Sequence, residues 1–328
     1  MKWKILIAEP LDEEGINRLR EKRTFEATQK FGMCEEDLIS SIPEYDALII
    51  RSETKVTDSV INAASRLKVI GRAGVGLDNV DIEAATRKGI VVMNTPGGNT
   101  ISAAEHTISM ILALSRNIPQ ANASLKEGRW DRKKFQGTEV YGKTLGIVGL
   151  GRVGSEVARR AQGLEMKVIA CDPLISKQRI QELGIGLFNL EQLLPQVDYL
   201  SLHTPLTPQT RNLIGEREIS LMKEGARIIN CARGGIIDEE ALYRALNEGK
   251  LKGAALDVFE KEKPFSSPLV ELNSVVLTPH LGASTEEAQR RVAVDIASQV
   301  IDALEGREIR NAVNVPIPSP DWREVSQR

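Results

Sequence analysis

The most constraining feature of the chain is the 29-residue stretch 144–172. It opens with an apolar run over 144–148 and turns through Gly149-Leu-Gly151-Arg-Val-Gly154. A helix over 155–162 follows, then a second apolar run over 167–170, and the stretch closes on the acid Asp172. Strand, glycine turn, helix, strand and acid at this spacing make a βαβ unit suited to a dinucleotide, for which about 30 residues are expected. Gly149 permits a tight turn, Gly151 lets backbone approach a pyrophosphate, and Gly154 lets helix and strand pack closely. The pyrophosphate then lies on the unpaired amides and positive dipole end of the helix. Asp172 would accept hydrogen bonds from the adenosine ribose hydroxyls and repel a 2′-phosphate, so NAD is expected over NADP. Gly71-Arg-Ala-Gly74-Val-Gly76 serves as an internal control. It also follows a strand, but its glycines stand in the wrong order, and the position 18 residues on is Asn94 rather than an acid. That loop is read as a turn presenting Arg72.

The rest of the chain repeats the scheme of short apolar runs and amphipathic stretches. Strands are predicted over 4–8, 47–50, 67–70 and 90–93, and helices over 12–21 (with Ile16 and Leu19), 58–64 and 82–87. A long helix from Thr100 to about Ser115 precedes the polar stretch 127–134. Further strands follow over 199–202, 227–230, 253–256 and 274–277. The last helix is predicted over 284–304, with Ser284 and Glu287 as a capping box. Pro316, Pro318 and Pro320 predict an extended tail. Buried strands alternating with helices imply an α/β fold with parallel sheets, and 328 residues at roughly 150 per domain imply two domains.

Composition removes several classes. Lys plus Arg (43) against Asp plus Glu (45) leave a net charge of −2, without the basic excess that nucleic acid or an anionic membrane calls for. Cys34, Cys171 and Cys231 are scattered and odd in number, so neither a disulfide framework nor a zinc site is expected, and a cytoplasmic home is. The apolar run near the N-terminus is too short for a signal peptide, and the longest apolar stretch, around 108–114, is far below the roughly 18 residues of a membrane span.

A nicotinamide enzyme needs a group that exchanges a proton with the substrate oxygen, and histidine is the usual choice. Of the three, His106 lies among apolar helix positions and reads as a packed, hydrogen-bonded residue. His203 ends a strand and reads as a neighbour of the cofactor or a strand terminator. His280, in Thr278-Pro-His-Leu-Gly-Ala after the strand 274–277, is the best placed, because ligands of open α/β sheets bind beyond the carboxyl ends of strands. Arg233, in a glycine-flanked loop after the strand 227–230, could grip a carboxylate with its two-pronged donor face, or pair with Asp238 or Glu239. Asp257, Glu260 or Glu262 could hold an imidazolium, and the sequence leaves the three open. Cys171 and Cys231 read as loop fillers, and Arg129, Arg132, Lys133 and Lys134 as a solvated basic patch.

The segments 71–81, 149–154, 230–238, 255–259 and 278–284 together resemble the D-isomer-specific 2-hydroxyacid dehydrogenase family. Arg51-Ser-Glu-Thr-Lys-Val-Thr57 and Trp130-Asp-Arg-Lys-Lys-Phe-Gln-Gly-Thr138 are similar to the branch of that family acting on 3-phospho-D-glycerate. The similarity covers residues 4 to about 315. It implies two doubly wound parallel-sheet domains, a Rossmann NAD-binding domain (98–283) inserted into a discontinuous, flavodoxin-like substrate domain (1–97 and 284–328). It also implies that Arg233 orients the substrate, His280 is the acid/base and Glu262 its carboxylate partner, although Lys263 stands where relatives often carry proline. Cofactor contacts implied beside the three glycines and Asp172 are Arg152, Val153, Thr204, Cys231, Asp257 and Val75, where valine replaces the common threonine and removes one polar contact. Arg51, Ser52, Arg72 and Gly74, helped by Lys133 or Lys134 of a partner subunit, would hold the charges of a small phosphorylated 2-hydroxy acid. The implied reaction is reversible NAD-dependent oxidation of that acid to 3-phosphohydroxypyruvate for serine synthesis, by a homodimer joined through the NAD domain. Longer members of this branch continue into domains that can bind serine, and feedback inhibition through them is not expected of this chain. Rival functions are reduction of glyoxylate, hydroxypyruvate or another 2-keto acid, which has less need of both Arg51 and Arg72, and a non-catalytic NAD-sensing corepressor.

Overall fold

The computed structural model describes residues 2–314. The proline tail predicted from Pro316 lies outside the described residues. Two compact units divide the chain: one takes it up to Asn99 and again from Ala283, and the other is Thr100–Gly282. The sequence put the divisions at 97/98 and 283/284.

In the first unit the strands are β1 (Trp3–Ile7), β2 (Phe25–Gln29), β3 (Ala47–Ile50), β4 (Val69–Arg72) and β5 (Val91–Met93). They form one parallel sheet in the order β2-β1-β3-β4-β5, the order of a flavodoxin-like doubly wound fold. Alternate residues serve two cores: Ile5, Ile7 and Ile49 face one, and Leu6, Leu48 and Ile50 the other. The first core is closed by the helices Glu13–Arg20 and Glu286–Leu304. Their approach is tight, since a Cβ on Gly15 would lie 2.7 Å from the Ala293 backbone. The returning chain is pinned by buried Asn314, whose Oδ1 accepts from Val92 N at 2.8 Å while its Nδ2 donates to Ile90 O at 2.9 Å. The helix Glu286–Leu304 is capped by Thr285, whose hydroxyl accepts from Ala288 N, not by Ser284 with Glu287. Counted from Thr285, the third residue is Ala288, which has no side chain to complete a box.

The second unit holds β6 (Thr144–Val148), β7 (Lys167–Cys171), β8 (Gly186–Leu187), β9 (Tyr199–Leu202), β10 (Ala226–Asn230), β11 (Leu251–Leu256) and β12 (Val275–Leu277). The sheet is parallel throughout, in the order β12-β11-β10-β9-β6-β7-β8. Strand order reverses between β6 and β9, the switch point at which open α/β sheets bind ligands. One face packs on the helices Thr100–Arg116 and Arg152–Gly163. The other packs on Glu239–Asn247 and its neighbours.

Candidate functional site

The Gly149 turn follows β6 at the switch point. Gly149 has φ +93°, and a Cβ there would lie 2.7 Å from the His203 carbonyl oxygen, at the end of neighbouring β9. A Cβ on Gly154 would lie 2.0 Å from the Gly149 carbonyl oxygen, so helix and turn are in backbone contact. Gly151 differs: a Cβ there would meet no atom within 4 Å, and no side chain caps the 12-residue helix it begins. Arg152 and Val153 form its first turn. Asp172, just past β7, binds the turn from the other side, its Oδ2 accepting from Leu150 N at 2.7 Å and its Oδ1 from Leu174 N at 2.8 Å. Thr204 Oγ1 is buried without a hydrogen-bond partner, and its methyl lies beside Gly149. An open glycine, an uncapped helix start, an acid one strand over and an orphaned hydroxyl together fit a dinucleotide. His203 Nε2 stands 2.8 Å from Ser201 Oγ, and burial pushes the ring down to about 4, so it is neutral near pH 7.

At the carboxyl ends of β10, β11 and β12 a second group converges. Asp257, fully buried after β11, accepts from Thr278 Oγ1 at 2.6 Å, Leu281 N at 2.7 Å and Gly282 N at 2.8 Å, with His106 Nε2 at 3.2 Å. Burial pushes this carboxyl up, but the hydrogen bonds from His106, Thr278 and Leu281 outweigh it and hold it below its ordinary value. The loop so held carries His280 at φ +57°, with its amide donating to Asp257 O at 2.9 Å. The ring Nδ1 stands 3.0 Å from Glu262 Oε1, while both side chains stay exposed. Of the three acids left open by the sequence, then, Glu262 meets the ring, Asp257 holds the loop and Glu260 lies 3.8 Å from Arg211. Lys263 has φ +62°, a turn that proline, locked near −65°, cannot make. Arg233 follows β10 on a turn bracketed by Asn230, whose Nδ2 donates to Arg233 O at 2.8 Å and whose Oδ1 accepts from Ala232 N at 3.0 Å. Its guanidinium donates to Ala232 O at 2.7 Å. A Cβ on Gly234 would lie 1.8 Å from Phe259 O, so the arginine turn packs directly on the segment leading to Glu262. Of the acids weighed as its partners, Asp238 caps the helix Glu239–Asn247 and Glu239 accepts from Glu260 N at 2.6 Å. Burial pushes the Cys231 thiol up to about 12 and raises Cys171 as well, which leaves neither as a nucleophile.

Arg51, Ser52, Arg72, Gly74 and Val75 all belong to the first unit. The loop after β3 is held by Glu9, 6% exposed, which accepts from the amides of Arg51 (2.8 Å), Glu53 (3.1 Å) and Thr54 (2.9 Å). Asn79 Nδ2 donates to the carbonyls of Arg51 (2.9 Å) and Thr54 (2.7 Å). Arg72 ends β4 and folds over Gly74, where a Cβ would lie 1.7 Å from Nη1. Val75 O accepts from Asn94 Nδ2 at 2.7 Å. Lys133 and Lys134 stand exposed on the short helical turn Arg132–Phe135 of the second unit. Sequence reasoning missed Glu9 and Asn79. The signal for Glu9 was an acid directly after the apolar run of β1, at a strand's carboxyl end; Asn79 gave none. Among the described residues no helix is long and apolar enough to cross a membrane, and no group of three or more His, Cys, Asp or Glu could hold a metal ion.

The family model for the D-isomer-specific 2-hydroxyacid dehydrogenase NAD-binding domain matches residues 108–282. The chain is 53% identical over 321 residues to the D-3-phosphoglycerate dehydrogenase of Synechocystis sp., covering 98% of itself and 58% of that protein. To the D-3-phosphoglycerate dehydrogenase of Archaeoglobus fulgidus it is 52% identical over 318 residues, 97% of the chain and 60% of the relative. The chain thus spans about three fifths of the length of these curated relatives. Among solved structures, the NAD⁺-bound 3-phosphoglycerate dehydrogenase of Entamoeba histolytica matches with a TM-score of 0.82 at 33% identity, over 96% of this chain and 99% of that one.

Proposed function

Since the chain belongs to the D-isomer-specific 2-hydroxyacid dehydrogenase family, we propose that it catalyses the reversible, NAD-dependent oxidation of 3-phospho-D-glycerate to 3-phosphohydroxypyruvate, the entry to phosphorylated serine synthesis. The observation that carries the reading is the His280–Glu262 pair at 3.0 Å, set on the same sheet edge as a glycine turn fit for a dinucleotide. NAD held at Gly149, Gly151 and Gly154, with Asp172 toward its ribose and Thr204 beside the turn, supplies the acceptor for the C2 hydride. Arg233 grips the substrate carboxylate through its paired N–H donors. With Nδ1 held by Glu262, His280 presents Nε2 to the substrate hydroxyl and takes its proton as the carbonyl forms; Glu262 stabilises the charge the ring then carries. Arg51, Ser52, Arg72 and Gly74 are assigned to the phosphorylated end of the substrate. Cytoplasmic location and a homodimer joined through the second unit belong to the same proposal. The dimer is supported by Ile118, Leu125, Trp130 and Tyr141, all more than half exposed within 24 residues of chain, with Trp130 at 75%.

NADH formation from NAD⁺ at alkaline pH tests the reading, with 3-phospho-D-glycerate run beside D-glycerate, D-lactate and 2-hydroxyglutarate. The expected result is a rate mainly with the phosphorylated acid. Activity only on the unphosphorylated acids would remove the phosphate-binding assignment. NADH binding without turnover of any of them would replace the enzyme with a sensor.

A further inference from the structure

His106 reads from the sequence as a residue that merely packs, yet its ring lies against the carboxylate that holds the His280 loop. Its Nε2 is 3.1 Å from Thr278 Oγ1 and 3.2 Å from Asp257 Oδ1. The Thr278 hydroxyl has one hydrogen, and the 2.6 Å approach to Asp257 Oδ1 assigns it there. What remains toward His106 is a lone pair on Thr278 and a carboxylate oxygen, so the ring nitrogen between them must carry a hydrogen. Of the donors on Asp257, Thr278, Leu281 and Gly282 all belong to the loop that Asp257 organises. Among the described residues that donate to Asp257, His106 alone comes from another element, the helix Thr100–Arg116. Without it Asp257 keeps the loop's own donors but loses its hydrogen bond to the helix Thr100–Arg116.

We propose that His106 is a positioning residue for the proton-transferring histidine: its Nε2–H, shared by Asp257 and Thr278, ties the 278–282 loop to the helix Thr100–Arg116 and keeps His280 in its left-handed backbone conformation. The role rests on the proposed function of His280. A non-glycine residue at φ +57° persists only where its surroundings fix it. Here the His280 amide is accepted by Asp257 O at 2.9 Å and Thr278 O at 3.1 Å, so both residues that His106 touches also hold His280 directly.

Three variants of the full chain test this: His106→Leu, which removes the donor, His106→Gln, which keeps an N–H donor, and His280→Gln. The readouts are kcat, the KM for the phosphorylated acid, the NADH dissociation constant and the urea midpoint. His106→Leu should lower kcat about tenfold, equivalent to about 1.4 kcal/mol, with NADH affinity within twofold of wild type. His106→Gln should restore most of kcat. A His106→Leu enzyme with wild-type kcat and only a lower urea midpoint would overturn the proposal, as would a His106→Gln enzyme no better than His106→Leu. Should His106→Leu fail to fold, the ¹⁵N shift of His106 Nε2 in the wild-type protein decides, since an unprotonated nitrogen overturns the assignment. If His280→Gln keeps full turnover, the proposed function of His280 fails and this role fails with it. If His280→Gln is inactive while His106→Leu is not, the role of His106 alone fails.

Discussion

Gly151 and Gly154 stand three residues apart in one turn, and exchanging each for alanine should break different things. A Cβ on Gly154 would lie 2.0 Å from the Gly149 carbonyl oxygen, where ordinary contact begins at 3.4 Å. Turn and helix would have to part by the difference, about 1.4 Å, against backbone that has no rotamer to change. Overpacking of that kind costs ~1–3 kcal/mol. A Cβ on Gly151 meets nothing within 4 Å, and the residue's φ of −62° is open to any side chain. Gly151→Ala should therefore stay within ~0.5 kcal/mol of wild type in stability. Under the proposed function, however, its methyl group stands where the pyrophosphate approaches the backbone. The NADH dissociation constant should rise at least tenfold, which is about 1.4 kcal/mol of binding. Urea denaturation followed by circular dichroism gives the first quantity, and titration of NADH fluorescence the second. Gly154→Ala should move mainly the urea midpoint, and Gly151→Ala only the titration. A Gly151→Ala protein binding NADH as tightly as wild type would refute the placement of the pyrophosphate, and an unshifted midpoint for Gly154→Ala would refute the packing argument.

Glu9→Gln removes an acceptor from the 51–54 loop, where hydrogen bonds to a charged group are worth ~1.5–3 kcal/mol each. It should raise the KM for the phosphorylated acid about tenfold, or about 1.4 kcal/mol, with kcat and NADH affinity held; an unchanged KM would separate this loop from substrate binding. His203 supplies a pH dependence. Its folded value, about 4, lies below the ordinary 6.5, so as pH falls the unfolded chain takes the proton first, and the stability present above pH 6.5 is lost as pH falls toward 4. At pH 5 the loss is about 2 kcal/mol relative to His203→Gln, which urea titrations of both proteins at pH 7 and pH 5 measure; equal losses would mean that the ring is not desolvated.

Most strands of both sheets were legible because buried parallel strands are continuous apolar runs, as Ala47-Leu-Ile-Ile50 is. What the pattern left out is what it cannot register. β2 (Phe25–Gln29) is an edge strand with one buried residue, and the helix Glu35–Ser41 buries only Leu38. β8 has two residues, both exposed. The glycine turn was legible because its chemistry is local: strand, turn, helix and acid lie within one βαβ unit. The partner of His280 was not, because three acids follow β11 within six residues, and which of them turns back to the ring depends on the path of the loop that carries them. The contact of His106 with Asp257 joins residues 151 positions apart, and no periodicity reports on that.

Glu9, Asp172 and Asp257 show why acids at the carboxyl edge of a parallel sheet are ambiguous in sequence. Each stands at or just past a strand end, after β1, β7 and β11, where ligands are expected and a carboxylate invites a catalytic reading. Each instead takes up amide hydrogens of the surrounding loops: three for Glu9, two for Asp172 and two for Asp257. At this edge the chain leaves its strand ladder and the next helices begin, so donors are left without backbone partners, and leaving one buried and unpaired costs ~1–3 kcal/mol. A carboxylate, with up to four acceptor sites and no donor, suits that task, and its charge is favoured where helix N-termini gather. Glu262 departs from this pattern. It is 63% exposed, and its partner at 3.0 Å is a ring nitrogen rather than an amide. The acids that shape the loops are taken up by amides, whereas under the proposed function Glu262 answers a proton moving on and off His280 and stays where the charge of the ring can change.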